Sequence, residues 1–454
     1  MSRIRAVAIN TVKQALRIKI VLVFMLILFV LIPVMALGLT GDGTIKGRLQ
    51  SFVTYSLSLT SLILSLMTII LTTYSLSEDV YKKYAYMVLT KPIRRFELLL
   101  GKLAGVIFLD VVVLFFCAGL IYAATLYIPH YYEASGEQLD SLNNQFFTAR
   151  SSLRPPVPDV TAEVVEEYRK LQASNQLPEG MSTQSIMREL TNRKLYEKHA
   201  VEPGRDIVWE FSNVRIPDPN QQIFIRFKYD VAVNPPDNVI YSIWDIGDLR
   251  QIDFAAVSAT PIYRTQRQDI IRTSREFSIN ADAVADDGYL GVAFLNVPLN
   301  PTVVIFSPED GLEVLYKSST YTANFVRGVL LILFRLIFLA CLGILASSFL
   351  SFPVAILLCI TILCLAVSRG FIMESFNYLS QEVHLIYSLT IRLLIQFIPQ
   401  FDQLNAAHYL VSAQLISWSA IAQIAALVVV LKAGILLALA LVIFSFREIA
   451  RVTG

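Results

Sequence analysis

The chain has 454 residues, 55% of them hydrophobic and 16% charged, four cysteines and a formal charge of +2; its mean hydropathy is +0.57. Soluble globular domains carry about 25% charged residues, so the composition excludes an ordinary soluble protein and argues for a membrane protein. Most basic residues border apolar runs, which leaves no case for nucleic-acid binding, and the long polar block 128–325 has no cysteine, which excludes a disulfide framework or CxxC metal site there.

The chain opens with "MSRIRAVAINTVKQALRIKI". The apolar run that follows is too long for the core of a signal peptide, and no small-residue cleavage site follows it. Ile4, Val7, Ala8, Val12, Ala15 and Leu16 recur at helical spacing, while Arg3, Arg5, Lys13 and Arg17 lie off that stripe. This predicts a retained amphipathic helix at the cytoplasmic membrane surface.

Six apolar runs follow, at roughly 19–39, 52–76, 103–127, 326–350, 353–372 and 422–446. Each reaches the roughly 20 residues that cross a hydrocarbon layer. Basic residues mark the cytoplasmic ends. Arg3, Arg5, Lys13, Arg17 and Lys19 precede the first span, Lys82, Lys83, Lys91, Arg94, Arg95 and Lys102 follow the second, and Arg447 and Arg451 follow the last. Six spans then place both termini in the cytoplasm. Loop 40–51 falls outside, where Lys46 and Arg48 disagree mildly with the rule.

Residues 128–325 hold 18 Lys+Arg against 27 Asp+Glu, a net charge of −9, while the remainder holds 20 against 9, a net +11. The block is predicted to be extracytoplasmic. Its first part, 128–203, reads as helical: "DVTAEVVEEYRKLQASNQ" and "STQSIMRELTNRKLYEKH" have apolar positions three or four apart. Residues 204–325 read as β-rich, in "DIVWEFSNV", "QIFIRFKYDVAV", "NVIYSIWDI", "REFSINADAV", "GYLGVAFLNV" and "TVVIFS", separated by turn residues. The expected fold is an α-helical polytopic membrane protein with an inserted α+β domain, β-sandwich-like with a helical lead-in. Segment 373–421 contains "LIYSLTIRLLIQFIP" with Arg392 near its middle. A seventh span there would put Arg447 and Arg451 outside, so a re-entrant or interfacial helix on the external side is expected.

Between the second and third spans lies "DVYKKYAYMVLTKPIRRFELLLGK", with six Lys or Arg in 24 residues. Ser77 reads as the cap of a helix whose first turn holds Glu78 and Asp79 and which runs to about Leu89; Pro92 opens the next helix. Tyr81, Tyr84, Tyr86 and Met87 mixed with Lys82 and Lys83 suit the grip of a protein partner. Topology signals resting on anionic lipid headgroups are the plainer alternative.

The Glu near the end of the second span, the short helix and "VLTKPIRRFELLLGKLAG" resemble the signature of ATP-binding-cassette exporter permeases of the type-2 superfamily, which includes permeases of nitrous-oxide-reductase maturation and of gliding motility. Pro92, Arg95, Gly101 and Lys102 are the matching positions. The basic amino-terminal helix, "FIPQFDQLN" before the last span and the closing "FREIAR" fit the same pattern. The resemblance covers 1–127 and 326–454; the large insertion departs from the commonest members, whose external loops are short, and leaves the substrate class open. It implies that the elbow 77–102 is a coupling helix seated in a cleft of a separate ATPase, with Glu78, Tyr81, Lys82, Lys83, Pro92, Arg94 and Arg95 as its contacts. It also implies a second permease copy, identical or paralogous, a bacterial cytoplasmic membrane and surrounding lipid. ATP enters through the partner, since no Gly-x-x-x-x-Gly-Lys-(Ser/Thr) loop occurs; "GDGTIKGR" has the wrong spacing. No cofactor is expected on the chain itself, and the external domain could recruit an extracytoplasmic protein.

Three ionisable residues fall inside spans, where charge is costly and suggests function: Asp110, Arg335 and Lys432. Asp110 lies roughly 12 Å past Lys102, and Lys432 roughly 22 Å above Arg447, by helical rise. A translocation path or a structural role fits each, and Lys432 is placed to snorkel outward. His130, His199, His384 and His408 have no ligand spacing, and no Gly-x-Ser-x-Gly elbow supports a hydrolase. The rival to a transport subunit is a non-transporting receptor or assembly scaffold whose external domain binds a ligand; an enzyme would need catalytic groups that only folding could assemble.

Overall fold

The computed structural model of the protein describes residues 2–81, 94–174, 176–177, 183–214, 216, 221–253, 260–375 and 395–446. Two compact units divide the chain: residues 1–147 with 320–454, and residues 148–319. In chain order the first unit holds α1 (Ser2–Arg17), α2 (Ile20–Gly38), α3 (Ile45–Tyr81), α4 (Arg95–Tyr131) and α5 (Gly136–Gln145). The second holds β1 (Thr148–Leu153), α6 (Thr161–Ala173), α7 (Thr183–Lys198) and strands β2 (Ala200–Val201), β3 (Asp206–Phe211), β4 (Gln222–Phe227), β5 (Tyr229–Val231), β6 (Val239–Gly247), β7 (Tyr263–Ile270), β8 (Arg275–Asn280), β9 (Leu290–Asn296), β10 (Val304–Phe306) and β11 (Leu312–Thr320). The chain returns to the first unit with α8 (Tyr321–Phe349), α9 (Phe352–Val367), α10 (Arg369–Ser375), α11 (Ala406–Val411) and α12, a continuous helix Trp418–Phe446 whose middle, Ala425–Ala433, is π-helical.

Among the described residues, five helices are long and apolar enough to cross a membrane: α2, α3, α4, α8 and α12. The run expected as a sixth span forms only the 16-residue α9. At 1.5 Å per residue it is about 24 Å long, and α10 follows it directly. Its last turn closes at Ser368, whose N–H bonds Cys364 O, and the chain re-enters helix at Arg369. Helix α2 buries only Val21, Leu28 and Ile32, a single stripe, and leaves Leu22, Leu26, Phe29, Val30 and Val34 exposed. Apolar side chains all round a helix need an apolar solvent, so this surface suits lipid.

Helix α8 is the centre of the first unit, packing on α3, α4, α9, α11 and α12. Helix α1 lies along α4, its Ala15 and Thr11 buried and Arg3, Arg5, Lys13 and Arg17 exposed, as an amphipathic helix requires. That approach needs Gly101 and Gly105. A Cβ on Gly101 would stand 2.5 Å from Val7 Cβ, and one on Gly105 would stand 2.8 Å from Ala8 O. Small residues four apart let helix backbones close on each other. Lys46 and Arg48 are held at the opposite end of α3. Lys46 Nζ donates to Gln145 Oε1 at 2.7 Å, and Arg48 sits 4.4 Å from the Tyr132 ring centroid. Phe147 and Tyr321, which bracket the inserted unit in sequence, have ring centroids 5.5 Å apart.

Helix α3 corrects one local expectation. No new helix begins at Ser77: a single helix runs from Ile45 through Tyr81, with Ser77 inside it. Its serines and threonines do not cap but bond back one turn, Ser65 to Ser61 O, Thr68 to Leu64 O and Thr73 to Ile69 O, and so cost the helix little.

The second unit is built of three sheets, ordered β1-β11-β4-β8, β2-β10-β5 and β3-β9-β6-β7. Strand pairs β4–β11, β4–β8, β6–β9 and β3–β9 are antiparallel. All three sheets feed one core, in which Trp244 is fully buried and opposite Phe294, with Trp209, Phe227 and Phe306 around it. Alternation along β6 puts Ile240, Ser242, Trp244 and Ile246 in this core, and Trp244 Nε1 donates to Ser242 Oγ at 3.1 Å. The helical stretch is present as α6 and α7, which share a small core of Val160, Val164, Ile186 and Leu190. Strand β1 interrupts the stretch expected to be wholly helical and joins a sheet through β11. The compact unit begins at Thr148 and ends at Ser319, whereas the sequence suggested 128 and 325: α4 continues to Tyr131, and α5 belongs to the helical unit.

Candidate functional site

Residues flanking the basic connector come first. Lys82, Lys83 and Pro92 lie outside the described residues, as do Arg392, His384, Arg447 and Arg451. Tyr81 is the last residue of α3. Around them, α1 touches both helices that enter and leave the connector. Gln14 Nε2 donates to Glu78 Oε2 at 2.6 Å, and Arg3 pairs with Glu97 at 3.8 Å. Glu97 Oε2 also accepts the Arg94 main-chain N–H at 2.8 Å, closing the first turn of α4. Arg94 itself is exposed.

Arg95 is not a free connector charge. Its Nη1 donates to Phe444 O at 2.9 Å and to Ser445 O at 2.6 Å. These carbonyls belong to the last described turn of α12. Lys102, one heptad further along α4 and expected to be a surface topology signal, is 2% exposed. Its Nζ donates to Ser75 O at 2.6 Å and Ser75 Oγ at 3.0 Å.

Deeper in the helical unit lies a polar stripe. Ser61, Ser65, Thr68, Thr72 and Ser75 of α3 are all buried and spaced 4, 3, 4 and 3 residues apart, so they share one helix face over roughly 21 Å. Three of them receive an ionisable side chain from a neighbour at seven-residue intervals. Arg335 Nη1 of α8 donates to Ser61 Oγ at 3.2 Å; Thr68 Oγ1 donates to Asp110 Oδ1 of α4 at 2.9 Å; and Lys102 reaches Ser75. Asp110 is 0% exposed and its Oδ2 has no hydrogen-bond partner among the described residues. Arg335 also lies 4.7 Å from the Phe401 ring centroid.

The structure therefore brings Asp110 and Arg335 to one stripe and adds Lys102, which sequence reasoning assigned to the surface. The signal was present in the Ser/Thr heptad of the second span. Lys432 stands apart from that stripe and does not snorkel. It is 6% exposed, and its Nζ donates to Gln396 O at 3.0 Å and Ile398 O at 3.3 Å, with Arg369 Nη1 on Ile398 O at 2.7 Å.

In the β-rich unit, one sheet carries a group of linked ion pairs. Arg150 pairs with Glu276 at 2.8 Å, Arg226 with Glu276 at 3.0 Å, and Arg154 with Glu313 at 2.7 Å. Burial pulls the Arg150 guanidinium below its ordinary pKa, while Glu276 opposes this. Burial pushes Glu276 up, but Arg150 and Arg226 outweigh it and hold the carboxyl below the usual range. His199 is satisfied, its Nδ1 2.7 Å from Leu195 O. Among the described residues no group of three His, Cys, Asp or Glu could hold a metal ion. Cys117, Cys341 and Cys359 are buried, as expected of small core residues, whereas Cys364 is exposed on α9.

No protein-family model, no curated protein and no solved structure matches the chain.

Proposed function

We propose that the chain is the membrane-spanning permease subunit of an ATP-driven exporter, whose nucleotide is hydrolysed by a separate ATPase subunit and which pairs with a second permease copy, identical or paralogous. The observation that carries the reading is that α1 bonds Glu78 near the end of α3 and Glu97 at the start of α4, and so ties together the two helices that flank residues 82–93. The sequence adds a basic elbow and no phosphate loop of its own. The same proposal places the protein in a bacterial cytoplasmic membrane, with both termini cytoplasmic and residues 128–325 extracytoplasmic, where they receive or gate the substrate or recruit a partner protein.

A second reading, a non-transporting receptor or assembly scaffold, draws on the inserted unit, which has its own compact fold and aromatic core. Co-purification separates the two. The transport reading expects an ATPase to accompany the protein, and Lys82→Glu, Lys83→Glu and Arg94→Glu together to abolish its stimulation. Arg95 is left unchanged in that test because it bonds the backbone of α12. Unaltered association and turnover would favour the receptor.

A further inference from the structure

The hydroxyl stripe of α3 differs at one position from ordinary interhelical glue. Ser65 gives its hydrogen to Ser61 O at 2.6 Å, and Thr72 faces two carbonyls of its own helix, Thr68 O at 2.7 Å and Ile69 O at 3.1 Å, so both stay within α3. Thr68 Oγ1 lies within bonding distance of two acceptors, Leu64 O at 2.8 Å and Asp110 Oδ1 at 2.9 Å. A hydroxyl has one hydrogen, and an ionised carboxylate can only accept. With Asp110 ionised, the two acceptors must share that one hydrogen in a three-centre bond, each contact weaker for it. A carboxylic acid resolves both: its O–H donates to Thr68 Oγ1, and Thr68 donates to Leu64 O. The second carboxyl oxygen points the same way. Among the described residues Oδ2 is fully buried without a hydrogen-bond partner, a costly position for an oxygen sharing a full negative charge.

We propose that Asp110 is a proton-binding site inside the helical unit, taking up and releasing one proton at its carboxyl with Thr68 as the fixed acceptor. The step balances simply: carboxylate plus proton gives carboxylic acid, with the proton exchanged with solvent. The ionisable groups around the site lie on the neighbouring helices. Helix α2 has no ionisable residue. Helix α3 presents hydroxyls between Arg48 and Glu78, and α4 contributes Lys102. Helix α8 contributes Arg335, with Arg327 engaged at Ile416 O. The lone lysine of α12 is held at Gln396 and Ile398, and the basic residues of α1 are exposed. Arg335 and Lys102 are bonded one heptad to either side of Thr68, at Ser61 and Ser75. Proton binding would change the charge of the α3–α4–α8 interface by one, whether or not the protein transports anything.

Infrared spectroscopy of the full-length protein in lipid vesicles tests this. The expected result is a carbonyl stretch of a protonated, hydrogen-bonded carboxylic acid that is lost as pH rises and absent in Asp110→Asn, a neutral isostere that still donates to Thr68. In Thr68→Val, which removes the acceptor, the band should move to the position of a carboxyl with no hydrogen bond. A folded protein with no such band at any pH, a band that survives in Asp110→Asn, or a band unmoved by Thr68→Val would overturn the proposal.

Discussion

Arg95, at the first turn of α4, donates to the main-chain oxygen of Ser445 in α12 at 2.6 Å, 350 residues away in sequence. One side chain thus fastens the start of α4 to the backbone of α12. Hydrogen bonds from a charged donor contribute about 1.5–3 kcal/mol. Arg95→Ala should lower stability by about that amount, with Lys partly restoring it, whereas Arg94→Ala, an exposed change, should stay within about 0.5 kcal/mol. Thermal unfolding in detergent, monitored by helical circular dichroism, distinguishes the two.

The seat of α1 on α4 predicts a steric effect. Gly101→Leu and Gly105→Leu each place a side chain where Val7, Ala8 and Thr11 already stand. The expected outcome is release of α1, read as faster reaction of a cysteine placed at Thr11 with a water-soluble maleimide. Equal labelling rates in wild type and variants would refute the close approach.

Removing one partner from the buried ion pairs of the β-rich unit should be costly. Arg150→Ala leaves Glu276 without its closest cation, and breaking such a pair costs about 3–5 kcal/mol. Arg150 with Glu276 replaced by Met and Gln together should recover much of the loss, a coupling that a double-mutant cycle on the whole protein measures.

The same pair predicts acid sensitivity. Glu276 has a folded pKa below its unfolded value, so its contribution to stability is complete above the unfolded value of about 4.3 and is lost as pH falls through the folded value. Stability of the wild type should therefore fall with acidification below about pH 5 more steeply than that of Glu276→Gln. Parallel slopes would show that the pair has no part in it.

Trp244 predicts the size of the aromatic core's contribution. It is fully buried against Phe227, Phe277, Phe294 and Phe306. Trp244→Ala should destabilise by about 3–5 kcal/mol, seen as loss of near-ultraviolet circular dichroism at lower denaturant, while Trp244→Phe should cost less.

Apolar length and two periodicities sufficed, without any coordinates, to locate five long helices, the amphipathic α1 and strands such as "NVIYSIWDI", because lipid-facing runs and alternating aromatic residues are local patterns. Strand β7, "YRTQRQDI", escaped that reading. It pairs only with β6, at a sheet edge, and its Arg264 and Arg267 are neutralised by Asp245 and Asp269, so its polarity hid the strand. Which charges were surface signals and which were internal ties depended on partners tens to hundreds of residues away. Arg95, Lys102 and Lys432 have the same composition value anywhere in a span, but a buried cation must find oxygens, and only the packing of α3, α4 and α12 with residues 396–398 decided which ones. The heptad of hydroxyls was written in the second span; that Asp110 meets it at Thr68, with one hydrogen for two acceptors, was settled by the tertiary structure alone.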